Sequence, residues 1–329
     1  MRQEAFEQEY QPLWDQLSEV MDDLERPRSK RRLESARLAE FPMQYRRLCS
    51  HYALARSRGF SPMLVDYLHQ LVVRGHPLLY KRASVWGWRL LAFVSFGFPQ
   101  AFRRHLGAFS ISLLFFLLPG VLMGTACYLQ GDMIYSVLDE STVAGMESAY
   151  DPASDHPGRS EERKSDTDVM MFGYYILNNI GIGFRTFALG ILLGVGTLFI
   201  LIFNGLVIGG VAGHLTQLGY TETFWPFVSG HGAFELTAIV ICGGAGLLMG
   251  RAVVAPGPEG RLATLKANAL EALQLVMGAA LMLVVAAFIE AFWSSSTFEP
   301  QVKYAVAAVL WLLVILYLSL MGRRGRGSR

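Results

Sequence analysis

The sequence predicts an all-α protein that crosses a membrane several times, with glycine-rich central helices and a helical bundle ahead of the first span. Three observations carry that prediction. Of the 329 residues, 52% are apolar, more than a soluble interior of this size needs. The runs Ala108–Gln130, Thr186–Phe203, Leu273–Phe292 and Tyr304–Met321 are nearly free of charge, and about 20 such residues span the roughly 30 Å of bilayer hydrocarbon. The charge is also segregated: residues 1–106 hold seventeen Lys/Arg against eleven Asp/Glu, whereas 131–183 holds three against ten. Cationic flanks stay in the cytoplasm. Arg103-Arg104 and the C-terminal arginines therefore predict both termini inside, the acidic loop outside and an even number of crossings.

Residues 1–83 read as a cytoplasmic helical bundle. Phe6, Tyr10, Leu13, Trp14, Leu17, Met21 and Leu24 recur at helical spacing up to Pro27. A basic helix is expected over Ser29–Ala39, and a third opening at Pro42 with Tyr45, Leu48 and Tyr52. A fourth is capped by Ser61-Pro62 and carries Leu64, Tyr67, Leu68, Leu71 and Val72. Residues 84–107 are apolar but short, with Trp86, Trp88 and Arg89 at their start, and read as an interfacial elbow. The first span is 108–130. An acidic external loop, 131–183, follows, its Asp151–Asp168 part flexible and its end a short apolar segment.

Residues 184–321 form the glycine-rich transmembrane core, and 322–329 a basic cytoplasmic tail. Sixteen of the thirty-three glycines fall within 181–250. Gly190, Gly194, Gly205, Gly209, Gly213, Gly230 and Gly232 are expected to let helices approach closely. The stretch 205–250, with Pro226 and Ser229-Gly230-His231-Gly232, is expected to begin and end on one side of the membrane. It is either a re-entrant hairpin of broken helices or a pair of tilted spans, giving four crossings plus that element or six.

Glu235 lies in an apolar stretch one helical turn after His231. A carboxylate at such depth is expensive unless paired, so it marks an intramembrane polar site. Asn178, Asn179 and Asn204 supply hydrogen bonds to it, and Glu290 is a second acidic candidate near a span end. The residues leave open whether His231 and Glu235 brace helices or contact a proton or solute. No metal site is expected, because only His214 offers itself as a third ligand and no HExxH is present. No catalytic residue is expected either: Ser229 near His231 has no nucleophile elbow and no orienting acid. No cofactor is called for, since the glycines form no nucleotide loop. The basic stretch Arg26–Arg37 lacks any nucleic-acid motif. Cys49, Cys127 and Cys242 have no metal or disulfide spacing.

The phrases Asn178-Asn179, Asn204-Gly205, His231-Gly232-Ala233-Phe234-Glu235-Leu236 and Ala287-Phe288-Ile289-Glu290-Ala291-Phe292 resemble the stage II sporulation protein M family. Tyr45-Arg46-Arg47-Leu48, Tyr67-Leu68-His69-Gln70-Leu71-Val72 and Gly75-His76-Pro77-Leu78-Leu79-Tyr80 resemble its longer, non-sporulation members. The resemblance implies a multi-pass protein of the bacterial inner membrane. It implies a scaffold that gathers envelope-remodelling partners, with MoxR-type ATPases and von Willebrand A proteins as companions of the longer members. The expected function is thus a non-enzymatic scaffold of a cell-envelope complex, lipid-embedded and homodimeric. It would hold partners on both faces of the membrane, a cytoplasmic ATPase-associated one among them. The alternative is a transporter or channel with its polar site around His231 and Glu235.

Overall fold

The computed structural model describes residues 2–26, 35–80, 85–153, 165–258 and 260–323. It divides into two compact units, Met1–Trp88 and Arg89–Arg329.

In the first unit, α1 (Gln3–Glu25), α2 (Ser35–Ser57) and α3 (Pro62–Tyr80) enclose a core of Phe6, Trp14, Leu17, Met21, Tyr45, Leu48 and Leu68. Among the described residues three helices stand here where four are expected. Pro42 lies inside α2 rather than opening a helix, and residues 29–34 of the expected basic helix lie outside the described residues. The cap at Ser61 forms as its residue type predicts: Ser61 Oγ accepts from the Leu64 amide, and the Gln3 side chain bonds both Ser61 Oγ (2.8 Å) and its backbone N–H (2.9 Å). Trp14 Nε1 donates to His51 Nδ1 at 3.1 Å, and Arg74 binds Asp22 and Glu25.

The division falls within α4 (Val85–Ala92), and the second unit continues with a π-helical turn (Phe93–Gly97) and α5 (Phe98–Arg104). The expected elbow is therefore helical, and its Phe98, Ala101 and Phe102 are buried. A break at His105 leads into α6 (Leu106–Leu129), followed by a 3₁₀ turn (Gly131–Ser136) and α7 (Glu140–Tyr150). Asp139 caps α7 by accepting from Thr142 N at 3.0 Å. Next come α8 (Ser165–Ala188), a 3₁₀ turn (Leu189–Ile191), α9 (Val195–Gln217) and α10 (Thr221–Val254). The chain ends with α11 (Arg261–Phe288), a π-helical turn (Ile289–Ser294) and α12 (Pro300–Leu320).

Five of these helices are long and apolar enough to cross a membrane: α6, α9, α10, α11 with its π turn, and α12. Their outer faces carry Leu114, Leu122, Phe199, Leu312 and Ile315, each more than half exposed, which only a lipid solvent tolerates in such density. Helix α10 is the axis, with 72% of its apolar window buried. Arg103 donates to the Leu318 carbonyl (2.8 Å) and Gln100 to that of Gly322 (2.7 Å). The start of α6 and the end of α12 thus share one end of the core, and the number of traverses is even. The sixth is α8, about 36 Å long at 1.5 Å per residue. Its first half packs Tyr175 against Ala287 and Ala291, and its end reaches Gly246.

Two expectations are corrected here. The acidic loop does not run to 183: residues 165–183 belong to α8, whose polar residues disguise a core helix. The start of the loop is packed, with Ile134 and Val143 buried beside Met123 and Cys127. The break in the glycine-rich region also falls elsewhere. Helix α10 runs unbroken through Pro226 and Ser229–Gly232, so 205–250 is not a re-entrant element but most of an antiparallel pair, α9 and α10, with Gly250 returning to Gly194 at the start of α9. The chain instead reverses at 189–194, where Leu193 and Gly194 have positive φ (56° and 81°). That turn divides the run Thr186–Phe203 between two helices.

Two glycine seams fix the core. Gly205, Gly209 and Gly213 of α9 lie on the backbone of Phe116, Gly120 and Gly124 of α6, with the two helices parallel. A Cβ built on Gly124 would meet the Gly209 oxygen at 2.9 Å, and one on Gly120 the Gly205 oxygen at 3.0 Å. Gly190 and Gly194 meet Gly246 and Gly250 of α10 in the same way. Gly230 and Gly232 are not seam residues: the nearest neighbour of a Cβ at Gly230 is Trp293 at 3.7 Å, and at Gly232 only Leu236 of the same helix.

Candidate functional site

The polar site assembles around α10. His231 and Glu235 stand four residues apart on one face, as a helix of 3.6 residues per turn dictates. His231 Nε2 lies 3.9 Å from Glu235 Oε2. That is too long for a hydrogen bond. Glu290 arrives from the π turn after α11, and one ligand atom from each of the three residues lies within 4.8 Å of the other two. The same turn presents Ser294 one turn later, and its Oγ bonds His231 Nδ1 at 2.9 Å. Lys303 of α12, itself buried, donates to the Ser294 carbonyl at 2.8 Å and holds that turn in place. π-helical turns occur often at functional sites, because they re-aim side chains without ending the helix.

From α8 come Asn178 and Asn179, with Asn178 Nδ2 donating to Asn179 Oδ1 at 3.1 Å. Asn179 is 2% exposed and lies beside Glu290, yet its Nδ2 makes no hydrogen bond of normal geometry. Glu290 Oε2 is buried and likewise lacks a bond of that kind. From above, α7 closes the site. Tyr150 packs on Phe224 and Phe227, and Phe227 packs on His231, at ring distances of 5.2, 5.6 and 5.6 Å. The Tyr150 hydroxyl is held above its ordinary range, first by burial, then by Glu290, Tyr175 and Glu235. Helix α7 is pinned by Thr223 Oγ1 donating to the Tyr150 carbonyl (2.5 Å) and by a 2.7 Å contact of Glu147 with His214.

The sequence-predicted residues therefore divide. His231, Glu235, Glu290 and Asn179 are brought together, whereas Asn178 is exposed and touches the group only through its bond to Asn179. Asn204 stands apart: its amide donates to the Ile200 carbonyl of its own helix at 2.8 Å. His214, the further candidate near His231 in the sequence, contacts Glu147 at 2.7 Å instead, and Glu290 is the group that lies beside His231 and Glu235. Among the serines, Ser229 leaves its Oγ unpartnered while Ser294, 1% exposed, bonds the imidazole. Sequence reasoning missed Ser294, Lys303 and Tyr150, which lie 63 and 72 residues after and 81 before His231. Only the three-dimensional packing joins them. Gly120, Gly124, Gly246 and Gly250 were missed despite a signal, the same four-residue spacing as in the glycines that were singled out.

The chemistry of the trio is set by its charges. Two ionised carboxylates within 4.8 Å repel by about 3 kcal/mol at an effective dielectric of about 20, and desolvation adds to that. The arrangement suits either a shared proton or a cation held between the three groups.

A family model described as Stage II sporulation protein M matches residues 111–295, from α6 through the π turn that carries Glu290. A second model, a domain of unknown function (DUF8413), matches residues 4–81, the three-helix bundle. No curated protein and no solved structure matches the chain.

Proposed function

The chain belongs to the stage II sporulation protein M family, and from that membership we propose that it is a non-enzymatic scaffold of a bacterial cell-envelope complex. It sits in the cytoplasmic membrane with both termini inside, as the cluster of Arg103, Arg104 and Arg323 at one end of the core favours. The observation that carries the scaffold reading is the pair of glycine seams. Backbone packed on backbone leaves little room for helices to slide, which suits a platform and opposes the rocking of a transporter. The transporter reading also drew on a broken helix at Ser229–Gly232, and α10 is continuous there.

The bundle, with its own hydrophobic core, is the cytoplasmic docking module, and α7 with its flanks faces envelope partners on the other side. The working unit is a homodimer in lipid. Deleting residues 1–82 tests this. Capture of cytoplasmic partners should be lost while the remainder still inserts into the membrane; unchanged pull-down profiles would overturn the reading.

A further inference from the structure

We propose that His231, Glu235 and Glu290 bind one divalent transition-metal ion of the zinc class. Three donors from two helices converge within 4.8 Å, and an imidazole with two carboxylates is a donor set that zinc accepts and that magnesium or calcium, preferring oxygen alone, does not. The 3.9 Å between His231 Nε2 and Glu235 Oε2 is too long for a direct bond, and the two would close in by about half an ångström to share a tetrahedral ion.

The surroundings are those of a metal site. A ligating histidine fixes its free nitrogen by donating that nitrogen's N–H to a second group. Here Nδ1 faces Ser294 Oγ at 2.9 Å, which directs the Nε2 lone pair toward the carboxylates. Ser294 is steadied in turn by Lys303 on its carbonyl. Glu290 Oε2 is buried with only the loosely placed Asn179 amide beside it, and a cation would satisfy it. Asn179, 2% exposed, brings an unpartnered Nδ2 to the Glu290 side of the site, placed to bond a carboxylate oxygen or a water on the ion. Three protein donors leave a fourth position for water or an exogenous ligand, beneath the roof that Tyr150 and Phe227 form. The scaffold role does not depend on this ion: a metal-free protein could still be a scaffold, and a zinc site could sit in a protein that is not one.

The test uses the full chain with a tag that contains no histidine, purified in detergent, stripped with chelator, reloaded with zinc and passed through a desalting column. Elemental analysis should find about one zinc per chain, the stoichiometry of a mononuclear site. Reloading with cobalt should give a visible absorption band. In E235Q and E290Q both signals should be lost, and in E147Q, which alters the His214 contact instead, both should persist. S294A should bind roughly 10–100-fold more weakly, as loss of a supporting hydrogen bond does. The wild-type result stands whatever the folding of the site variants: failure of the reloaded wild type to retain zinc overturns the proposal and leaves a proton shared between the carboxylates. Equal retention by folded E235Q and E290Q overturns it as well.

Discussion

Substituting Gly209 by alanine probes the seam between α6 and α9 most sharply. The added methyl would lie on the Gly120 peptide, with the Gly120 Cα at 2.6 Å where ordinary contact begins at 3.4 Å. Both obstacles are backbone, so no side chain can swing aside. The helices must part by about 1 Å, and a gap of that size forfeits a quarter to a half of each dispersion contact along the interface. Overpacking a close-fitted core typically costs about 1–3 kcal/mol, and the neighbouring contacts at Gly205 and Gly213 place G209A toward the upper part of that range. Gly145 of α7 is the counterpart, since a Cβ there meets nothing within 4 Å and alanine is the better helix former by up to about 1 kcal/mol. Heating the detergent-solubilised protein and measuring the monodisperse fraction by size exclusion should show G209A lost at lower temperature than wild type. G145A should match wild type or survive longer. If G209A melted with wild type, backbone contact would not be what holds the core.

The first unit offers three further expectations. Trp14 is fully buried, so W14A should cost about 3–5 kcal/mol by cavity formation. R74A should cost no more than about 1 kcal/mol, because Arg74 and its partners Asp22 and Glu25 are 33%, 55% and 45% exposed and screened; denaturant titration of residues 2–88 separates the two. The pKa of His51 is held below its ordinary 6.5, first by burial, then by Arg47, against a smaller opposing effect of Glu9. The unfolded chain then takes up the proton more readily than the folded one. The contribution is fully present above pH 6.5 and is lost as pH falls below it. The melting temperature of that unit should therefore drop between pH 7 and 5, and H51Q should flatten the drop; an unchanged profile in H51Q would refute the assignment.

Much of this fold was legible because lipid imposes a simple code. Runs of about 20 apolar residues must be helices, and α6, α11 and α12 fall where their hydropathy put them. Helix α8 was hidden for a physical reason. Its polar residues interrupt the apolar run, and Ser165, Asp166, Asp168, Asn178, Asn179 and Arg185 made it resemble a loop. The glycines of 205–213 signalled tight packing by spacing alone. Those at 230 and 232 have no such role, because spacing cannot tell which face meets a partner. At the site, His231 and Glu235 were readable as one helix face. The approach of Glu290 to that face was not, since it depends on a π turn and on the course of α11 beside α10.

The arrangement of site and seams requires α8 to cross the membrane. The direct measurement is side-specific labelling of single cysteines, with Cys49, Cys127 and Cys242 replaced, in sealed vesicles treated with an impermeant maleimide. Leu192, 57% exposed in the turn after α8, should label from the same side as Gly257 in the α10–α11 connection and from the side opposite to Gly145 in α7. If L192C reacted together with G145C, α8 would not cross and the six-helix core would be wrong.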